Sequence, residues 1–214
     1  RGEKCLYLAF EESAGQIIRN MESIGFHLDQ YVNSGLLQFQ ATRPTLHGLE
    51  LHLASVHQAI EEFQPSIAVL DPVTNLMVAG NLSEVYSMLL RMIDFLKSRG
   101  ITTLMTTLTS GGQPQEATEA GISSLIDTWI LLRDIESSSE RNRGLYIVKS
   151  RGMAHSNQLR EYRITDHGIE LLDVYLGTGG VLTGSARLTQ EAKERAEESL
   201  REQEFQRKQA QIEV

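Results

Sequence analysis

Short apolar runs alternate with amphipathic stretches along most of this chain. The apolar runs have the length of buried strands, and polar residues or turn formers follow them. In the amphipathic stretches, apolar side chains recur every three or four residues, which is the spacing of one helical face. Strands that alternate with helices predict a mainly parallel sheet covered by helices. The predicted strands are 5–10, 36–40, 67–71 and 101–107, and the predicted helices are 13–24, 47–63 and 82–96.

The second half of the chain has a different pattern. A further apolar run, Ile126–Leu132, predicts another buried strand. The next two strand-like segments, Gly144–Lys149 and Glu161–Ile164, are too close together for a crossover helix, so we expect antiparallel ribbons.

The end of the chain is polar. From Thr189 it is rich in Glu, Arg, Gln and Ala and lacks Gly and Pro, which predicts a solvated helix. A seam joining copies of the chain is the alternative, although the three clean heptads that it requires are not present. The predicted organisation is a main domain over 1–176, a Gly-rich hinge over 177–188 and a charged helix over 189–214.

Composition narrows the classes of function. The chain has 214 residues with 41% hydrophobic content, enough for one substantial core. A net charge of −8 argues against nonspecific nucleic-acid binding, which depends on neutralising phosphates. The single cysteine, Cys5, excludes a disulfide framework and fits a reducing cytoplasm. No apolar run approaches the ~18 residues that a membrane span needs.

Carboxylates follow two of the predicted strands. Asp71 ends one of them and could accept a hydrogen bond from a magnesium-bound water. Glu11 and Glu12 end another, and one of them could orient or deprotonate an attacking water or hydroxyl. The carboxyl ends of parallel strands are where such sheets bind ligands. The alternatives are that Asp71 only forms a turn before Pro72 and that the paired acids only face solvent.

The phosphate-binding loop that usually accompanies such acids does not occur in the sequence. No Gly-x-x-x-x-Gly-Lys-Ser/Thr motif is found, and the segment Gly177–Ser185 resembles one only in its glycine spacing, without a following lysine. We therefore expect a first strand, a phosphate loop and a first helix to precede Arg1.

Two cations close together form a third candidate. Lys149 and Arg151 are two residues apart, so on a strand both would project from one face and could reach one anion. At the rim of the domain they could complete a phosphate site in an adjacent copy. Solubilising surface charge is the alternative.

Taken together, these segments resemble the KaiC family, the circadian-clock ATPases and autokinases of the RecA-like superfamily. The resemblance implies an α/β fold with a RecA-like P-loop NTPase core, antiparallel ribbons at its C-terminal side and a terminal helix. It is closest to the second, C-terminal domain of that family. The matching stretches are 8–13, 67–71, 128–132, 149–152, 160–166 and 184–187.

The resemblance also assigns roles to residues of the site. It implies that Glu11 is the general base with Glu12 supporting it, and that Asp71 holds the Mg²⁺ water. Lys149 and Arg151 would reach ATP bound to a neighbouring subunit.

Phosphoacceptors follow from the resemblance alone. The family phosphorylates a neighbouring Ser-Thr pair, and the corresponding pair here is Ser123 and Ser124, with Thr118 as a third hydroxyl.

The implied assembly is a hexameric ring in which phosphoryl groups pass between subunits, with ATP and Mg²⁺ as cofactors. A KaiB-like regulator is the further partner that the resemblance implies, whereas the charged, Gln-rich tail argues against a KaiA-like activator. Two other functions stay open at this point: a RecA-like DNA-dependent ATPase and a non-catalytic scaffold. The net negative charge and a Gly111–Gln113 loop without Lys or Arg weigh against DNA.

Overall fold

A four-stranded parallel sheet forms the first half of the protein in a computed structural model of the chain. The structure describes residues 2–108, 125–137, 140–172, 175–177 and 180–212. The sheet has the order β2-β1-β3-β4, with all three pairings parallel. The predicted parallel sheet is thereby confirmed. Its strands are β1 (Cys5–Ala9), β2 (Leu37–Ala41), β3 (Ile67–Asp71) and β4 (Thr102–Met105).

Helices connect these strands. The short helices α1 and α2 follow β1, whereas α3 and α4 lead into β3 and β4 and supply most of the core. Two 3₁₀ turns, Pro44–Leu46 and Val73–Val78, follow β2 and β3. The helices are α1 (Ala14–Glu22), α2 (Asp29–Asn33), α3 (Leu49–Phe63) and α4 (Leu82–Ser98).

The core lies on one face of the parallel sheet. Leu6 and Leu8 of β1 and Leu70 of β3 are at most 1% exposed, and they pack against α3 and α4. Val56 of α3 and Met88 of α4 belong to the same buried cluster. Strand alternation therefore sends the intervening residues of β1 and β3 to the opposite face.

A second, antiparallel sheet forms most of the remaining chain. It has the order β5-β6-β7-β8 and is followed by a short antiparallel pair and a long helix. None of the described helices combines the length and the apolar character needed to cross a membrane. The elements are β5 (Thr128–Ser137), β6 (Glu140–Ser150), β7 (Arg160–Thr165), β8 (Gly168–Leu171), β9 (Tyr175–Gly177), β10 (Gly180–Leu182) and α5 (Gly184–Ile212).

Two details of this half differ from the sequence-based expectation. The predicted buried strand 126–132 is β5, but only Leu131 is buried, while Ile130 and Leu132 are each at least half exposed. The reason is that an antiparallel strand can bury one face and leave the other uncovered, even when both are apolar. The terminal helix begins at Gly184, five residues before the predicted start, and residues of the predicted hinge form part of β9 and β10.

Carboxylates of the antiparallel sheet hold the first turn of α5. Glu161 of β7 accepts the amide of Gly184 at 3.0 Å, and Glu140 of β6 accepts the amide of Ser185 at 2.9 Å. The first amides of a helix lack partners within it, so these bonds satisfy them. The backbone and side-chain hydrogen bonds from Ser185 lower the pKa of Glu140. Gly184 has a φ of +58°, and a Cβ there would collide with Glu140 and Asn142.

The chain divides into two compact units. One comprises 1–127 with 165–168, and the other comprises 128–164 with 169–214. The parallel sheet belongs to the first unit, and β5, β6 and α5 belong to the second.

Candidate functional site

Acidic residues gather at the carboxyl edge of the parallel sheet. Backbone pairing continues one residue past the strands there: Phe10 donates to the carbonyl of Asp71 at 2.8 Å, and Thr106 donates to that of Leu70 at 3.0 Å. Asp71 ends β3, and Glu11 and Glu12 lie two and three residues past Ala9, the last residue of β1. The structure therefore places all three predicted carboxylates at one sheet edge.

Two hydroxyl groups hold the Asp71 carboxylate. Ala9 pairs with Asp71 across β1 and β3, so Tyr7, two residues earlier, lies on the same face of the sheet. The Tyr7 hydroxyl donates to one carboxylate oxygen, and the Thr106 hydroxyl donates to the other. Asp71 itself is half-buried. Its carboxylate is thus fixed by neutral donors from β1 on one side and from the residue after β4 on the other.

The Tyr7 phenol remains a donor across the physiological range. Burial raises its pKa, and the hydrogen bond to Asp71 and the negative charges of Asp71 and Glu12 raise it further. All three effects disfavour the charged phenolate. The ring of Tyr7 also packs against Phe39 of β2, with ring centroids 5.2 Å apart.

Glu11 and Glu12 are exposed, and each has an amide partner. Asn75 Nδ2 donates to Glu11 at 3.3 Å, and Asn20 Nδ2 donates to Glu12 at 3.4 Å. Ser13 caps α1 directly after these acids through a reciprocal capping box with Gln16. The chain direction after β1 is therefore fixed close to the two carboxylates.

The predicted cations lie in the second unit. Lys149 is the penultimate residue of β6 and pairs with Trp129 of β5. Arg151 lies beyond the strand, in an exposed turn with Gly152. Strand alternation predicted that Lys149 and Arg151 project from one face of the strand. It does not apply to Arg151, because a turn does not keep the two-residue alternation of a strand.

The predicted phosphoacceptors lie outside the described residues. This applies to Ser123, Ser124 and Thr118.

The acidic edge suits a hydrated Mg²⁺ ion and does not by itself suit a whole nucleotide. Mg²⁺ usually keeps several waters and takes one or two carboxylates together with substrate phosphates. Asp71 retains acceptor capacity on both oxygens, and Glu11 and Glu12 stand at the neighbouring strand end. Within the described ranges, no three His, Cys, Asp or Glu side chains form a metal-binding group. A lysine-bearing phosphate loop is not part of this sequence.

Sequence reasoning did not identify the residues that support the three acids. Tyr7 and Thr106 hold Asp71, and Asn75 and Asn20 reach Glu11 and Glu12. The one signal for Tyr7 was its place between Leu6 and Leu8, since a polar group between two core positions of a strand faces the other side. Which acid it would meet depends on strand order, and the sequence does not display that order.

Comparison with known proteins shows the family. The family model described as "ATPase: KaiC" matches residues 1–174. The chain is 50% identical over 205 residues to circadian clock protein KaiC2 of Synechocystis sp., covering 95% of this chain and 36% of that protein. It is 32% identical to KaiC3 of the same organism, covering 88% and 37%. It is also 32% identical to the circadian clock oscillator protein KaiC of Parathermosynechococcus lividus, covering 86% and 34%.

The chain spans about a third of the length of the curated relatives that it matches. The family match covers most of the chain, including the parallel sheet, its acidic edge and β5–β8. This chain belongs to the KaiC ATPase family and has its RecA-like fold.

Proposed function

We propose that the chain is the Mg²⁺-dependent ATP-hydrolysing and autophosphorylating domain of a KaiC-like timing or signalling protein, and that it corresponds to the family's second domain. The observation that carries the proposal is the acidic sheet edge, where Asp71 is held by two hydroxyls and Glu11 and Glu12 lie just past the end of the adjacent strand. The proposal requires a lysine-bearing phosphate loop in addition to the residues of this sequence.

The three acids have different tasks in this proposal. Asp71 would hold a hydrated Mg²⁺ ion through its two free acceptor sites, and the ion would supply charge neutralisation at the phosphate oxygens. Glu11 is the general base, because it is exposed at the sheet edge and can accept a proton from a hydroxyl. Glu12 supports Glu11 by adding a second negative charge at this edge, and the hydrogen bond from Asn20 orients the Glu12 carboxylate.

The phosphoryl acceptor is Ser123 or Ser124 of a neighbouring subunit, with Thr118 as a third candidate. The serine oxygen forms a bond to the γ-phosphorus while the bond to the leaving ADP oxygen breaks, and the serine proton passes to Glu11. Most of the catalysis in such a transfer is positioning and charge compensation.

A hexameric ring places the nucleotide between subunits. Lys149 and Arg151 of one copy then face the phosphates held by the next, as an arginine finger does. A KaiB-like protein is the proposed regulator, and the polar surface of α5 argues against a KaiA-like activator.

Phosphopeptide mass spectrometry after incubation of the full-length protein with Mg-ATP tests this proposal. We expect phosphate on Ser123 or Ser124, and we expect its loss in Glu11→Gln. Glu22→Gln is the matched control, because Glu22 is an exposed carboxylate at the end of α1, away from the strand end.

Each outcome has a distinct meaning. Phosphate that persists in Glu11→Gln keeps the kinase and rejects Glu11 as the base. ATP hydrolysis without phosphate on either serine rejects the autokinase and keeps the ATPase.

A further inference from the structure

We infer that Tyr7 and Thr106 are positioning residues that orient Asp71 toward the metal-bound water. This inference rests on the proposed function and concerns residues to which that proposal gives no role. Tyr7 lies in β1 and Thr106 directly follows β4, so the two side chains approach from opposite sides of β3, and each donates to a different oxygen of the same carboxylate.

The strand register makes this arrangement rigid. Asp71 pairs with Ala9 of β1, and the amide of Thr106 donates to the carbonyl of Leu70, so the main chain is fixed on both sides of the carboxylate. Tyr7 is further restrained because its ring packs against Phe39. Rotation of Asp71 about χ1 or χ2 would therefore break a hydrogen bond on at least one side.

The fixed position of the Asp71 carboxylate also fixes the direction of its unused lone pairs. A carboxylate has about four acceptor sites, two on each oxygen. The two hydroxyls occupy one site on each oxygen and leave one site on each for a further ligand. The direction of the remaining acceptors is thus set before the metal arrives, which spares the ordering that binding would otherwise require.

The chemistry of the donors also matters. A lysine or arginine at either position would neutralise the carboxylate, whereas a phenol and an alcohol leave its negative charge in place. Neutral donors thus orient the acid and preserve its attraction for a hydrated cation.

The test measures the affinity of the full-length protein for Mn²⁺, which substitutes for Mg²⁺ and is detected by electron paramagnetic resonance. The protein is first loaded with a non-hydrolysable ATP analogue. Tyr7→Phe keeps the ring and removes the hydroxyl, and Thr106→Val does the same for the alcohol. We expect each to weaken Mn²⁺ binding roughly two- to tenfold, the range for loss of one hydrogen bond. Thr106→Ser should restore wild-type affinity.

Controls separate positioning from general destabilisation. Tyr31→Phe removes a phenol on an exposed helix, and Thr103→Val removes a hydroxyl from β4 that only reaches the nearby carbonyl of Ile101. Neither should change Mn²⁺ affinity. The Mg²⁺ dependence of ATP hydrolysis should shift in parallel with Mn²⁺ binding in Tyr7→Phe and Thr106→Val.

Two results would overturn the inference in different ways. Suppose that Asp71→Asn weakens Mn²⁺ binding, and that thermal unfolding shows the double variant Tyr7→Phe/Thr106→Val to be folded. If this double variant then binds Mn²⁺ like wild type, only the positioning role fails. If Asp71→Asn leaves metal binding and hydrolysis unchanged, or the wild type does not hydrolyse ATP, the proposed function fails and the positioning role fails with it.

Discussion

At the scale of single residues, the orientation of Asp71 at the acidic edge depends on the protonated phenol of Tyr7. Tyr7 donates to Asp71 while lying close enough to Glu12 to experience its charge, so two carboxylates stabilise the neutral phenol. The contribution of the protonated Tyr7 phenol to the free energy of unfolding depends on pH, because the unfolded chain releases the tyrosine proton at a lower pH than the folded chain does. It is fully present below about pH 10, the ordinary pKa of tyrosine, and is lost as the pH rises above that value.

Removing the phenol should therefore change how the free energy of unfolding depends on pH under alkaline conditions. We expect the free energy of unfolding of the wild type to fall as the pH rises from about 10 to 11. In Tyr7→Phe this fall should be smaller. Urea unfolding at pH 8 to 11 measures it, and Tyr31→Phe, with an exposed tyrosine, should retain the wild-type slope. An identical slope in Tyr7→Phe and wild type would contradict the linkage.

The same residues mark the limit of reading a site from sequence. The positions of Asp71, Glu11 and Glu12 at strand ends could be predicted, because an apolar run followed by an acid is visible in one segment. The Tyr7 and Thr106 contacts could not, because each joins residues at least 35 positions apart through strand order and register. A slip of one residue would turn Tyr7 to the other face of the sheet.

At the scale of elements, the first turn of α5 depends on β6 and β7. Glu161 is 5% exposed and accepts the Gly184 amide, so this carboxylate needs that donor to compensate for its burial. The strands and helices of the first half could be predicted within a few residues because their periodicity is strong. The start of α5 could not, since its anchoring partners lie 23 and 45 residues away.

Acid should weaken this attachment. The lowered pKa of Glu140 means that its contribution is present above about pH 4.5 and is lost as the pH falls through the lower folded-state value. Glu140→Gln should show faster amide exchange at Ser185 at neutral pH and a smaller further change toward pH 3. Hydrogen exchange followed by mass spectrometry measures both. Glu197→Gln, an exposed residue of the same helix, is the control.

Alanine at two glycines should have opposite effects. Gly184→Ala places a Cβ at positive φ against Glu140 and Asn142, and we expect a loss of at least about 1 kcal/mol in the free energy of unfolding. Gly15→Ala lies in the first turn of α1 with only Arg19 near the added carbon, and we expect a gain of up to about 0.5 kcal/mol, less than in the middle of a helix. Chemical denaturation of both variants checks the pair, and equal effects would contradict the assignment.

At the scale of the whole molecule, the tail beyond the first turns of α5 contributes little to the fold. Its described side chains from Ala192 to Gln209 are exposed, and the family match ends at residue 174. We expect removal of 193–214 to leave the thermal midpoint within about 2 °C of wild type, because exposed positions carry little stability. Removal from Gly184 should lower it clearly, since Glu140 and Glu161 would lose their donors. Calorimetry of both truncations distinguishes the two cases.

The pairing of β5 with β6 provides an optical probe of the second unit. Trp129 is the one tryptophan of the chain, and it stands opposite Lys149 in the strand register. Red-edge excitation avoids the tyrosines, so the intrinsic emission of an unlabelled protein comes from a ring beside the proposed phosphate-facing lysine. If the proposed ring forms, the docking of a neighbouring subunit's nucleotide at that strand end can be followed in real time without attaching a dye.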